Sequence, residues 1–259
     1  MGRKTKLALS VGAAGAAAWA ASKAIMRPTA RPGKKALSFE GPIVIQQLGN
    51  LRDIEQQAAK AASLGVHGLS MDVKLTAHEE IIVVSGSEPD ALSCLLKDML
   101  ASYPHLLFLI RIADSPDTYE GSLMPSKLWK LLEECEAQDQ VAVISNYDEQ
   151  VDRFNLYTQH LAAVGAGQAE LKQAYTAYTS RFGHLYHPRT DLVVLAGKIG
   201  PFQPANDGFI HFLKKLNIAV YVENTSNDDV IKLAQAGASG FITNSPESVM
   251  KLLDSLLEH

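Results

Sequence analysis

Charged side chains stand at the ends of three predicted strands, which is where proteins with parallel sheets commonly bind ligands. These residues are Asp72, Arg111 and Glu223. Asp72 and Glu223 could together hold a cation, because Mg²⁺ and Ca²⁺ prefer oxygen ligands such as carboxylates. Arg111 could instead form an anion site with Gln47 and Ser85, or it could pair internally with Asp72 or Glu223. The pattern leaves all three arrangements open.

The other reactive residue types have simpler interpretations. His184 and His187 could bind a metal, but a histidine pair without a nearby carboxylate is usually an ordinary loop feature. Ser145 ends a predicted strand and is expected to cap the helix that follows. Cys94 and Cys135 are far apart, lack metal-ligand spacing and each lie in a predicted amphipathic helix. We therefore expect two free thiols.

Strand-like and helix-like segments alternate from about residue 40 onward. Short continuous apolar runs predict strands at Ile43–Gln47, Gly68–Val73, Leu106–Ile112, Val141–Ser145, Leu161–Val164, Leu192–Leu195, Ile218–Val222 and Gly240–Thr243. Amphipathic periodicity predicts helices at Asp53–Ser63, Pro125–Glu136, Gln168–Tyr178, Asp207–Lys215, Asp228–Ala236 and Pro246–Leu257. The alternation indicates an α/β fold with a parallel sheet, either a small (β/α)8 TIM barrel or a doubly wound open sheet. No Gly-x-Gly-x-x-Gly follows the first strand, so a dinucleotide-binding fold has no support.

The amino-terminal segment differs from the rest of the chain. Basic residues precede and follow an uncharged, alanine-rich run from Leu7 to Ser22. This pattern is typical of a membrane anchor or a signal segment, and an alanine-rich helix lying on a surface is a further alternative. Residues 1–26 are therefore predicted as an anchor or signal segment, 27–39 as a linker rich in proline and glycine, and 40–259 as the barrel.

The overall charge limits the kinds of partner. The 259 residues carry a formal net charge of −4, with 24 basic and 28 acidic side chains. A general nucleic-acid-binding protein would usually have a basic surplus, so no nucleic-acid partner is expected.

Two motifs resemble the glycerophosphodiester phosphodiesterase family. The first is Gly-Val-His-Gly-Leu-Ser-Met-Asp-Val-Lys-Leu-Thr at residues 65–76, followed by a second apolar strand that runs into Ser85. The other is Gly-Phe-Ile-Thr-Asn-Ser-Pro at residues 240–246. The resemblance covers about residues 41–257. It implies a TIM barrel of the PLC-like phosphodiesterase type, and an enzyme of lipid metabolism that hydrolyses phosphoric diesters with histidines and a divalent cation.

Most positions that carry this chemistry in the family hold other residues here. Gln47 and Ser85 stand where the family has its two histidines, and Ser70 replaces the first carboxylate of the metal-binding pair. Arg111 places a positive charge where the family has a carboxylate near the metal. Glu223 begins the segment that replaces the Trp-Thr-Val-Asn of the family. No catalytic residue and no cofactor is therefore predicted, with Asp72 the one position suited to Mg²⁺ or Ca²⁺.

These observations predict a catalytically degenerate barrel, a pseudoenzyme, that binds a glycerophosphodiester, a lipid head group or a protein partner. The alternative is an active metal-dependent phosphoric diester hydrolase with a shifted site. Membrane association through the amino-terminal segment is expected, on a side that the flanking charges do not determine. The predicted ligand-binding residues are Gln47, Ser70, Asp72, Ser85, Arg111 and Glu223.

Overall fold

Eight parallel strands form a barrel in a computed structural model of the protein, which describes residues 19–49, 53–84, 94–196 and 205–257. The strands are β1 (Ile43–Gln47), β2 (Gly68–Leu75), β5 (Leu107–Ile112), β6 (Val141–Ser145), β7 (Ala163–Val164), β8 (Leu192–Ala196), β9 (Ala219–Glu223) and β10 (Gly240–Thr243). Their order around the barrel is β7-β6-β5-β2-β1-β10-β9-β8.

The two end strands of this order meet at an isolated bridge, which leaves the barrel nearly closed. Gly165 and Leu192 form a parallel bridge, and the amide of Ala166 donates to the carbonyl of Leu192 over 2.9 Å. On the other side of the bridge, the Asp191 amide donates to the Val164 carbonyl over 2.7 Å. These contacts decide between the two predicted architectures in favour of the barrel.

Two short antiparallel strands extend the sheet from β2. β3 (Ile81–Val84) pairs with β2, and β4 (Cys94–Leu95) pairs with β3. The predicted second apolar strand is thus confirmed. Cys94 lies in a strand rather than in the predicted helix, and Cys94 and Cys135 are both free thiols as expected.

Helices surround the barrel and follow the strands. They are α1 (described part 19–25), α2 (Ile54–Leu64), α3 (Leu96–Ser102), α4 (Tyr119–Glu134), α5 (Asp148–Tyr157), α6 (Gln168–Thr179), α7 (Asp207–Lys215), α8 (Asn227–Ala236) and α9 (Pro246–Leu257). Asp53 caps α2 by accepting from the amide of Gln56 over 3.0 Å. Gly65 and Gly237 end α2 and α8 with φ angles of 80° and 101°, which a glycine adopts without strain.

Alternate strand residues face the barrel interior and the surrounding helices. The interior is filled by side chains such as Ile45, Leu109 and Tyr221, each at most 1% exposed. Neighbouring residues such as Val44 and Phe108 point outward and pack against the helices. Burial of both faces explains why the strands are continuously apolar.

Helix α4 begins six residues earlier than predicted. The sequence placed its start at Pro125, because proline favours a first turn, but the helix begins at Tyr119 after the cap Thr118. Pro125 has no N–H to donate to the carbonyl of Gly121, four residues earlier. The fully buried Gln150 of α5 supplies the missing donor, since its Nε2 lies 2.9 Å from that carbonyl.

The amino end of the barrel is covered by the segment that precedes β1. A 3₁₀ turn, Lys35–Leu37, packs the buried Ala36 against the interior cluster. Arg31 pairs with Asp191, with 2.7 Å between Nη2 and Oδ1, and this aspartate is only 2% exposed. Part of the predicted linker 27–39 therefore contacts the barrel directly. The predicted domain boundaries stay predictions.

Within the described part of the chain, no helix is both long enough and apolar enough to cross a membrane. The predicted anchor falls largely on residues 1–18, which lie outside the described ranges.

Candidate ligand-binding cavity

A polar cavity of about 460 Å³ opens at the carboxyl ends of the barrel strands. This is the end at which barrel proteins bind their ligands. Its walls come from the ends of β1, β2, β3, β5, β9 and β10 and from the turns after β9 and β10. The lining residues are Gln47, Leu48, Gly49, Asp72, Val84, Arg111, Glu223, Asn224, Thr225, Ile242, Thr243, Asn244 and Ser245.

The three charged residues singled out in the sequence meet in this cavity. Asp72 and Arg111 are register partners on the adjacent strands β2 and β5, and Glu223 ends β9. Arg111 Nη2 lies 3.3 Å from Glu223 Oε2, and Arg111 Nη1 lies 3.8 Å from Asp72 Oδ1. One guanidinium thus links two carboxylates, which is the internal pairing among the predicted alternatives.

Burial is the largest influence on the pKa of Asp72. Loss of solvent raises the pKa of this carboxyl above its ordinary value, and the nearby charge of Glu223 raises it further. The positive charges of Arg111 and Lys74 act in the opposite direction, yet the net direction is upward. The Arg111 contact therefore compensates the burial of Asp72 only in part.

Two polar atoms at the cavity have no hydrogen-bond partner among the described residues. They are Asp72 Oδ1 and Thr225 Oγ1, both shielded from solvent. The 3.8 Å separation between Asp72 Oδ1 and Arg111 is an ion-pair distance, too long for a hydrogen bond. Such unsatisfied buried atoms are uncommon and favour a bound group that supplies the missing contacts.

Thr225 is a cavity residue that the sequence did not single out as a binding residue. It follows Asn224, whose φ angle of 53° places it in the left-handed region that asparagine tolerates better than most residues. This turn follows Glu223 directly and brings all three residues to the cavity wall. An asparagine directly after a strand is the sequence signal that could have indicated the turn.

The other predicted binding residues have different positions. Gln47 lines the cavity, and its Nε2 donates to the carbonyl of Leu48 over 3.0 Å. Ser70 is 1% exposed and is not among the cavity-lining residues, because it lies two residues before Asp72, deeper in the barrel. Ser85 falls outside the described residues. The structure therefore brings together four of the six predicted residues.

The side chain of Leu48 belongs to the packed interior although it also borders the cavity. It is only 2% exposed and packs in the layer between strands and helices. Its backbone amide donates to the carbonyl of Ser70 over 2.7 Å. Position 48 is therefore part of the core.

The cavity residues do not fit a divalent cation. Both carboxylates are engaged by Arg111, and the described residues contain no group of three or more His, Cys, Asp or Glu side chains that could hold a metal. A guanidinium between Asp72 and Glu223 would repel a divalent ion from the place where these oxygens converge.

The histidine pair and Ser145 lie in other settings. His184 Nε2 is 2.8 Å from Ser22 Oγ of α1, in the loop that leads into β8 at the amino end of the barrel. His187 Nδ1 lies 3.0 Å from the carbonyl of Leu185. Ser145 Oγ donates to the carbonyl of Ile112 and accepts from the amide of Tyr147, which holds the turn before α5.

Several solved structures with this architecture are glycerophosphodiester phosphodiesterases. One from Agrobacterium tumefaciens superposes with a TM-score of 0.61 at 11% identity, covering 81% of this chain and 99% of that chain. One from Parabacteroides distasonis gives 0.60 at 12% identity, covering 84% and 100%. One from Thermotoga maritima gives 0.58 at 14% identity, covering 83% and 100%.

The chain thus has the glycerophosphodiester phosphodiesterase fold, which confirms the resemblance seen in its motifs. No protein-family model and no curated protein matches the sequence. At this level of identity the likeness concerns the fold, and the activity must be argued from the site.

Proposed function

We propose that this barrel binds a glycerophosphodiester, either free or as a lipid head group, in the cavity and does not hydrolyse it. The observation that carries this proposal is the position of Arg111 between Asp72 and Glu223. An arginine remains charged at all physiological pH values and cannot transfer a proton. Its guanidinium has five N–H donors, so it can bind an anionic phosphodiester while it keeps its contacts with Asp72 and Glu223.

The cavity offers complementary contacts to both halves of such a ligand. A phosphodiester carries one negative charge, which suits the guanidinium of Arg111. The glycerol hydroxyls are donors, and they would satisfy Asp72 Oδ1 and pair with Thr225 Oγ1. The phosphodiester thus contacts a cation, and the glycerol hydroxyls contact hydrogen-bonding oxygens.

The same cavity lacks the groups for hydrolysis. Its described lining residues contain no histidine, and Gln47 has no proton to exchange at neutral pH. Groups that transfer protons each contribute about 10²–10⁴-fold to catalysis, so their loss supports a binding role.

Calorimetric titration of sn-glycero-3-phosphocholine into the full chain tests the binding. We expect saturable binding, with an affinity about tenfold lower in Thr225→Val. This substitution removes the Thr225 hydroxyl, which would hydrogen-bond to the ligand, and leaves the shape of the side chain unchanged. The matched control is Thr176→Val, the same change on the exposed face of α6. Equal affinity of the two variants would contradict the placement of the ligand.

A parallel assay for released choline, with Mg²⁺ or Ca²⁺ present, tests the absence of hydrolysis. We expect no turnover above the uncatalysed rate. Turnover that requires a divalent cation and disappears in Asp72→Ala would instead establish the alternative, a metal-dependent hydrolase with a shifted site.

A further inference from the structure

Exposed apolar side chains are concentrated at the amino end of the barrel, opposite the cavity. The described residues expose ten large apolar side chains, and seven of them lie in or directly after α1, at the end of α5 or in the loops that lead into β7 and β8. Because β7 and β8 are neighbours, the loops that lead into them lie on the same side of the amino end, and α1 contacts the loop before β8 through Ser22 and His184. We call these seven residues the lower patch: Ile25, Met26, Leu156, Tyr157, Leu161, Phe182 and Leu185.

Three members of the lower patch have most of their side-chain surface exposed to solvent. Ile25 is 81% exposed, Leu156 74% and Leu161 70%. A concentration of exposed apolar side chains at one end of a folded protein commonly marks an interaction surface.

Helix α1 leads the apolar amino-terminal run onto the same face. Trp19 packs edge-on against the ring of His184 at 6.3 Å, and Ser22 Oγ lies 2.8 Å from His184 Nε2. Trp19 and Ser22 are the last part of the uncharged run that begins at Leu7. The run therefore ends at the lower patch.

The basic side chains are concentrated in the first part of the sequence. Residues 1–39 contain eight of the 24 basic side chains and none of the 28 acidic ones, which leaves 16 basic and 28 acidic side chains for the rest of the chain. Lys23, Arg27 and Arg181 are exposed beside the lower patch. An anionic surface would thus attract this end of the molecule and repel the rest.

We propose that the lower patch lies on an anionic lipid surface, with the patch side chains in the interfacial region and the basic residues against the head groups. Aromatic, aliphatic and basic side chains on one face are the combination that binds such an interface. The barrel itself then takes part in membrane binding together with the amino-terminal segment.

This orientation also determines which way the cavity opens relative to the bilayer, and the inference about its ligand rests on the proposed function. The cavity opens at the carboxyl ends of the strands and the lower patch lies at their amino ends, so the mouth faces away from the bilayer. Its ligand is then a water-soluble glycerophosphodiester and not a head group of the same membrane.

Co-sedimentation of the full chain with vesicles tests the surface. We expect binding to vesicles of equimolar phosphatidylserine and phosphatidylcholine, and weaker binding to pure phosphatidylcholine and at high salt. The double variant Leu156→Ser/Leu161→Ser should bind about tenfold more weakly, because two exposed apolar anchors are lost.

The matched control is Tyr119→Ser at the opposite end of the barrel, where the tyrosine is 72% exposed. It should bind vesicles like the wild type. Wild-type affinity of the double variant would overturn the proposal, since the amino-terminal segment alone would then account for binding. A wild-type dimer that the double variant converts to monomer, without vesicle binding, would overturn it in favour of a second copy of the chain.

Tryptophan quenching by brominated lipids tests the orientation separately from the ligand. In the Trp129→Phe variant, Trp19 is the remaining indole, and we expect its fluorescence to be quenched on vesicle binding. Absence of quenching with intact vesicle binding would overturn the placement of α1 on the bilayer. Neither result depends on whether the cavity binds a glycerophosphodiester.

Discussion

Arg111 Nη2 lies 3.3 Å from Glu223 Oε2, although these residues belong to β5 and β9 on opposite sides of the barrel. Asp72, the strand neighbour of Arg111, takes the second contact of the guanidinium. This single cation links two carboxylates at the cavity.

Removal of the cation should destabilise the native state. Arg111→Met leaves two carboxylates facing each other in a partly buried site, so we expect the free energy of unfolding to fall by about 1–3 kcal/mol in urea denaturation. Lys127→Met is the matched control, since it breaks the more exposed pair with Glu79 and should cost about 0.5 kcal/mol or less. An equal cost for both variants would contradict the role of Arg111.

The raised pKa of Asp72 predicts a specific pH dependence. Because the pKa of this carboxyl is higher in the folded than in the unfolded protein, its ionisation destabilises the native state as pH rises through the folded value. Asp72→Asn cannot titrate. The free energy of unfolding of the wild type should therefore increase relative to that of the variant as pH falls from neutral toward the ordinary carboxyl value of 3.8. Parallel urea titrations at several pH values measure this difference, and a change of the opposite sign would refute the burial argument.

The contact between Gln150 and Gly121 predicts non-additive mutations. Gln150→Leu leaves the carbonyls of Gly121 and Asp114 without their side-chain donor and should cost about 2–3 kcal/mol of unfolding free energy. Pro125→Ala restores a backbone N–H that can donate to the Gly121 carbonyl. In that background Gln150→Leu should cost about 1 kcal/mol less. A double-mutant cycle by thermal or urea unfolding checks the difference, and strict additivity would show that the proline does not create the need for Gln150.

The ion pair at the amino end predicts that residues before β1 contribute to folding. Arg31→Met leaves the nearly inaccessible Asp191 without its cation and should cost about 3 kcal/mol. The double variant Arg31→Met/Asp191→Asn should recover part of this loss, because the uncompensated charge is removed. Lys35→Met, which breaks a highly exposed pair with Asp139, is the control and should leave the unfolding free energy essentially unchanged. If Arg31→Met has the same unfolding free energy as Lys35→Met, the ion pair with Asp191 does not contribute to folding and residues 27–39 act only as a linker.

Local patterns in the sequence determined most of the elements. Short apolar runs predicted β1, β6, β8 and β10 within a residue or two of their observed bounds, because burial on both faces requires this composition. Gly65 and Gly237 indicated the ends of two helices, since their backbone angles disfavour other residues. The polar substitutions at the strand ends were likewise visible in the sequence, as they need only the position of each residue along its strand.

Only the tertiary structure decided the relationships between distant residues. Closure of the barrel depends on the bridge between Gly165 and Leu192, and both candidate architectures share the same alternation of elements. The ion pair of Arg111 with Glu223 joins residues 112 positions apart in the chain. The first turn of α4 contains the carbonyl of Gly121, which receives from the buried Gln150 of another helix the donor that Pro125 lacks. Periodicity in the sequence indicates which face of a helix or strand is buried. The residues that this face contacts are determined by the packing of segments that are far apart in the chain.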